Sequence, residues 1–292
     1  MDKQSGMNSK LVMVMAMLLL SACSMVTLGY NNADVYLRHT VNGYAEFNEA
    51  QKIAIRQEVD TFILDNRKNM LPLYIDYLNH VKQLIQAGAS RKKAEVTRLR
   101  ESVRELYVLS LQPAIKPAAA ILASIDTAQI DQLVTSFAKE NTRQQENELS
   151  GSTEQRLLRS AEKTVEFVEN LTGSLTDKQQ EKVRALSGKM PFAGEVFLNQ
   201  RAANQARLIA LLRQHKAEPN KAEPEIATML EKWLKTPELY RSTDEHKLML
   251  SFESAADDMI MGVLEILNET QQQKLQDSLQ KYITAFQELT QH

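Results

Sequence analysis

The chain has 292 residues, 43% of them hydrophobic and 25% charged, and its 35 Lys and Arg stand against 37 Asp and Glu for a net charge of −2. A balance this close excludes the basic excess of a nucleic-acid-binding protein, so no nucleic-acid partner is expected. A single cysteine excludes any intramolecular disulfide, leaving packing alone to hold the fold.

The first element, residues 1–22, places Lys3 and Lys10 before an uncharged apolar run from Leu11 to Leu20. This is the pattern of an export signal. The run is about half the roughly twenty apolar residues a membrane-spanning helix needs. Met7, opening Met-Asn-Ser-Lys ahead of the run, is a second candidate start. Leu20-Ser21-Ala22-Cys23 resembles the lipobox of bacterial lipoproteins, an aliphatic residue and two small ones before the cysteine that receives lipid. That resemblance implies cleavage after Ala22 and a diacylglycerol group on the Cys23 thiol. As a small buried hydrophobe or free thiol, Cys23 would leave the apolar run without a purpose. Acyl chains contribute about 0.8 kcal/mol per buried methylene, so multiple acylation makes a stable anchor. Ser24, where inner-membrane lipoproteins often carry Asp, implies the periplasmic face of the outer membrane of a Gram-negative bacterium. Without Asp2, Lys3 and Lys10 the mature chain keeps 33 basic and 36 acidic side chains, a net charge of −3.

Residues 23–43 read as a lipidated segment with a short helix. Asn31 or Asn32 would cap it, Val35, Tyr36 and Leu37 would continue it, and Tyr30 would pack as a staple. The functional alternative makes Tyr30, Asn31 and Asp34 a docking segment for an envelope partner. Beyond it the chain is poor in Gly and Pro and rich in Leu, Ala, Gln, Glu and Lys, a helix-forming composition. Ile55, Val59, Phe62 and Ile63 fall at helical spacing, and Leu71, Ile75 and Leu78 resume it after a break near Pro72. Ala202, Ala206, Ile209 and Leu212 form another stripe, as do Leu248, Phe252, Ala255, Met259 and Val263. No alternating strand pattern is sustained, and the expected fold is all-α.

Four short segments are alike: Phe-Asn-Glu-Ala-Gln, Ile-Asp-Thr-Ala-Gln, Leu-Thr-Asp-Lys-Gln and Leu-Asn-Glu-Thr-Gln. Each supplies a helix cap (Asn48, Asp126, Thr176, Asn268) and a glutamine three residues later (Gln51, Gln129, Gln179, Gln271). This is the spacing of a capping box, preceded by an apolar staple. The boxes pair by separation, Gln51 with Gln129 and Gln179 with Gln271, which suggests a duplication. The expected organisation is an elongated bundle of two helical units, 44–150 and 172–290, with a polar helical connector over 151–171. The 14 extra residues of the second unit are assigned to the polar segment His215–Glu225, whose Pro219 and Pro224 read as a loop insertion.

Two resemblances follow. The leucine-threonine-x-x-glutamine signature is similar to that of the periplasmic Spy/CpxP family, and Leu175 to Gln179 matches it strictly. That likeness implies a curved helical architecture whose concave face can hold unfolding clients. Cys23, then Tyr30-Asn31-Asn32-Ala33-Asp34, Tyr44 and the first capping box resemble an uncharacterised family of proteobacterial lipoproteins with a YN-x-AD segment and an all-helical body. It implies compartment and fold, and transfers no functional residue.

Chemistry-bearing patterns are scarce. His39, His80, His215, His246 and His292 form no zinc motif, and neither a phosphate-binding glycine loop nor a nucleophile elbow occurs. Asp257 and Asp258 point about 100° apart on a helix and are expected on a wet face. The basic run Arg91-Lys92-Lys93 with Arg98, Arg100 and Arg104 is expected as a solvated helix laced by Glu95, Glu101 and Glu105, and Trp233 as core. No catalytic residue, metal site or cofactor is assigned, and no enzyme is expected. The expected function is a non-enzymatic, chaperone-like binding protein, held to the membrane through Cys23 and binding unfolded or envelope proteins. The alternative is a structural or assembly partner of an envelope complex.

Overall fold

The computed structural model describes residues 27–216 and 219–291; Cys23 and the lipobox residues Leu20, Ser21 and Ala22 lie outside the described residues. Among the described residues every regular element is helical. A helical stretch over 27–31 leads into α1 (Ala33–Asn42). Then α2 (Glu49–Asp65) passes through a π turn (Asn66–Met70) into α3 (Leu71–Gln86). The chain therefore bends at Pro72 without breaking. Proline in a helix's first turn gives up an N–H that has no intrahelical partner there, and the π turn absorbs the change of register. The chain returns through α4 (Lys93–Leu111), a 3-10 turn at Gln112–Ala114 and α5 (Ile115–Ala123). Next come α6 (Thr127–Leu149), α7 (Thr153–Thr172), α8 (Asp177–Ser187), α9 (Gly194–Gln214) and α10 (Pro219–Lys235). A 3-10 turn at Pro237–Tyr240, α11 (Thr243–Ile266) and α12 (Glu269–Thr290) complete it.

The stretches 44–150 and 172–290 are intertwined. One core joins Leu84, Ile85 and Val96 of the α3–α4 hairpin to Val165, Val183, Leu264 and Leu275 of α7, α8, α11 and α12. The other joins Ala119, Ile130 and Leu133 of α5 and α6 to Leu208, Leu212 and Ile226 of α9 and α10. Each stretch thus lends a hairpin to the other's core. The packing pairs correspond: α3 with α12 answers α9 with α6, α4 with α11 answers α10 with α5, and α1 with α2 answers α7 with α8.

The four capping boxes all form, with side-chain oxygens of Asn48, Asp126, Thr176 and Asn268 accepting from the backbone N–H of the glutamine three residues on. The structure adds a bond that capping logic does not require. Gln51 Nε2 donates to Gln129 Oε1 at 3.2 Å, and Gln129 Nε2 donates to Gln51 Oε1 at 2.7 Å. Gln179 and Gln271 do the same at 2.7 and 3.1 Å. The second proton of each amide goes to the carbonyl five positions before the opposite glutamine: Ser124, Glu46, Ile266 and Ser174. Each Oε1 also accepts from its own cap's N–H. Both donors and both acceptor positions of every amide are therefore filled, with Gln51, Gln129 and Gln271 buried. The correspondence extends seven residues further, where Ser136 and Ser278 hydroxyls donate to the carbonyls of Tyr44 and Leu171.

Two more boxes, Ser152 with Gln155 and Ser242 with Glu245, start α7 and α11. Their Ser-x-x-Gln and Ser-x-x-Glu spacing is the same signal without the apolar staple. The segment His215–Glu225 departs from its loop reading: α10 begins at Pro219, carries Pro224 within it, and buries Ala222 and Ile226. Pro219 at the first helical position gives up no intrahelical bond, and Pro224 inside the helix forfeits one without ending it, so the two prolines did not mark a loop. The extra length of the second stretch lies in α11, 24 residues against the 9 of its counterpart α5.

The amide pairs make a sharp expectation. Gln129→Glu preserves the shape and the cap but turns both donors into acceptors facing Gln51 Oε1 and the Glu46 carbonyl. It should cost roughly 3 kcal/mol, whereas removing a solvent-facing cap by Ser152→Ala should cost about 1 kcal/mol. Urea unfolding of the two variants would measure both, and equal losses would show that the inter-box bonds contribute nothing.

Candidate functional site

The surplus half of α11 creates the chain's most distinctive surface. Its Met249 and Phe252 pack with Ala193 and Val196 at the start of α9 as a small third cluster. Between that cluster and the α4, α9 and α10 helices lies an open cleft of about 830 Å³. Leu208 and Met249 are buried at its base, while Val103, Tyr107 and Phe197 on its walls are 48%, 58% and 49% exposed. Phe197 meets Phe252 edge-on, with ring centroids 6.4 Å apart. Apolar side chains this exposed, grouped on one concavity, are unusual for a surface left to water.

Polar groups converge on the same cleft. Arg100, Arg104, Arg201 and Arg241 line it, with Glu253 the one carboxylate among the lining residues. Arg104 Nη2 meets Glu238 at 3.0 Å. Arg241 Nε donates to Gln200 Oε1 at 3.1 Å, and Gln200 in turn donates to the Pro237 carbonyl. Trp233 packs partly buried against the second core, in keeping with its helical spacing, and also lines the cleft. Its indole N–H is buried without a hydrogen-bond partner.

Asp257 corrects the sequence reading. It is 2% exposed and not on a wet face. Arg100 Nε donates to its Oδ1 at 2.8 Å and Thr97 Oγ1 to its Oδ2 at 2.7 Å, while Arg100 also reaches Glu253 at 3.1 Å. Burial alone would raise the Asp257 pKa, but the bonds from Arg100 and Thr97 and the charges of Arg100 and Lys93 together hold it below the ordinary value. Asp258, one position on, is exposed and pairs with Lys93 at 2.6 Å. Lys93, Arg100 and Arg104 of the basic run are thus tied across to α11 and to Glu238. Glu95 is spent on the Lys92 backbone N–H, and Arg91 donates to the carbonyls of Leu84 and Ile85. Pattern along one helix cannot reveal a partner on another, which is why this network was not legible.

The segment Tyr30, Asn31 and Asp34 docks on its own chain. Arg67 stacks over the Tyr30 ring at 5.6 Å and donates to Asn31 Oδ1 at 3.1 Å. Asp34 pairs with Arg38, which also holds Asp60 at 2.7 Å. Burial pushes the Tyr30 phenol up to about 12 against the opposing charge of Arg67. Asn32 starts α1 but makes no side-chain cap, its amide donating back to the Leu28 carbonyl at 2.7 Å because the preceding residues are already helical. A second groove, about 610 Å³, runs between α3 and α4 past Tyr77, His80 and Leu106. None of its lining residues holds a buried, unpartnered polar atom. Among the described residues no group of three or more His, Cys, Asp and Glu is placed to hold a metal ion.

A family of unknown function (DUF6279) has a model that matches residues 43–241. The chain belongs to this family. The expectation of an uncharacterised family agrees with that match. The DUF6279 match takes in three of the four capping glutamines and the α4, α9 and α10 walls of the cleft, and it ends at Arg241, before the α11 wall. No curated protein and no solved structure matches the chain.

Asp257 sets the acid behaviour expected of this wall. A carboxyl whose folded pKa is depressed stabilises fully above its unfolded value of about 4, and that contribution is lost as pH falls through the folded value. Asp257→Asn should cost about 2 kcal/mol at pH 7, since Arg100 loses its buried partner. The gap between variant and parent should narrow as pH falls below about 4. Thermal melts across that range test it, and a pH-independent gap would remove charge from the explanation.

Proposed function

We propose that this chain is a non-enzymatic, lipid-anchored binding protein of the outer membrane's periplasmic face, whose helical body holds polypeptide segments in a chaperone-like manner. The observation that carries the reading is the cleft with half-exposed Val103, Tyr107 and Phe197 on its walls. An enclosed cavity would suit a small ligand or a reaction, because catalysis needs water excluded around convergent groups. This concavity is open, and its apolar walls stand ready to cover side chains of another chain. Burying apolar surface contributes about 25 cal/mol per Å², enough for weak, reversible holding without a fixed interface. The anchor rests on the export signal and the lipobox ending at Cys23, and the compartment on Ser24 after it.

The test uses residues 24–292 without lipid and a chemically denatured model protein diluted into buffer. Aggregation should be suppressed at near-stoichiometric ratios. Tyr107→Ser with Phe197→Ser should abolish most of the suppression while leaving the helical circular dichroism unchanged. Failure of the parent chain at excess would overturn client holding and favour a dedicated assembly partner, to be sought by crosslinking in intact cells.

A further inference from the structure

We propose that the central cleft selects acidic polypeptide segments carrying a bulky apolar side chain, with Arg201 and Arg241 as its polar contacts. The inference rests on the binding reading above and narrows it from unfolded chains in general to those of one charge.

The charge of the lining is the ground. Four guanidiniums face one carboxylate among the lining residues. Arg100 is answered by Asp257 and Glu253, and Arg104 by Glu238. Arg241 is held by the neutral amide of Gln200, which orients the guanidinium without cancelling its charge. Arg201 acts on Glu140, whose carboxylate is already bonded by Arg143 at 2.8 Å. Two positive charges therefore remain to be complemented from outside, each able to take a carboxylate in a two-point contact.

Aromatic groups decide what accompanies the acid. Tyr107, Phe197 and Phe252 border the same space, and they favour an aromatic or long aliphatic side chain between the charged contacts. A basic segment would place its cations against the arginines and be repelled. Recognition of acidic motifs by clustered arginines beside an apolar groove is a recurrent mode of peptide binding.

Trp233 is the chain's single tryptophan and lines the cleft beside the second core, so its emission reports on this region. The experiment titrates residues 24–292, which include every described residue, with a synthetic peptide alternating Glu with Leu and Phe. Parallel titrations use the same peptide with Lys for Glu, and vesicles of an anionic phospholipid. We expect a saturable emission change with the acidic peptide, binding at least tenfold tighter than the basic one, and weakening as salt is raised. Arg201→Gln with Arg241→Gln should weaken it a further tenfold or more at unchanged helicity. Should that double variant not fold, Arg201→Gln alone and the salt dependence of the parent carry the same test. Equal binding of both peptides, a salt-independent response, no response to the acidic peptide, or saturation by vesicles alone would overturn the proposal. Equal binding together with suppressed aggregation would leave general client holding intact and remove only the charge selection.

Discussion

Everything in this fold hangs on two pairs of glutamine side chains that close on each other. A glutamine in an ordinary capping box uses one acceptor and leaves two amide protons to solvent. Here the protons are spent across the interface, one on the opposite Oε1 and one on the backbone carbonyl five residues before the opposite glutamine. The arrangement explains which positions of the short repeat vary. Any side-chain oxygen can cap, so Asn, Asp and Thr alternate at Asn48, Asp126, Thr176 and Asn268. Only an amide of glutamine's length both caps and pairs, so the last position is glutamine in all four. Glutamate would put an anionic oxygen where the two N–H donors of Nε2 are needed.

Because each pair fixes the starts of two helices at once, it also fixes how the chain crosses. The α2 and α6 starts are joined at one end and the α8 and α12 starts at the other. The hairpins that leave them are then long enough to reach the opposite core. Ile125, Leu175 and Leu267, the apolar residues before three of the caps, are buried. The polar clasp and the apolar packing thus reinforce one another within the same few residues.

The helical class, the four box positions and the pairing by separation were legible because they depend on spacing within one segment. Three features were not. The length difference was placed at His215–Glu225 on the strength of its prolines, but Pro219 opens a helix that continues through Pro224, and the surplus lies in α11. Asp257 looked wet because its own helix offers it no partner; its partner, Arg100, is 157 residues away in sequence. Trp233 read as core from its stripe, correctly for its ring, while its orphaned N–H is a property of the assembled fold.

The cleft therefore belongs to what the two halves do not share. Where α5 is short, α10 packs closely over it and the second core is closed. Where α11 is long, it is bound to α4 by Arg100 through Asp257 and Glu253, and it presses Met249 and Phe252 onto α9. The repeated frame holds three helices rigidly around that extra segment. The unrepeated segment supplies the last wall, and its ion pairs use up the charge of Arg100. A frame held by fully satisfied amides can tolerate an open, partly apolar concavity, since the cost of a few exposed aromatics is small beside two buried cores. In this molecule stability comes from the correspondence between the halves, and the surface available for recognition arises where that correspondence ends.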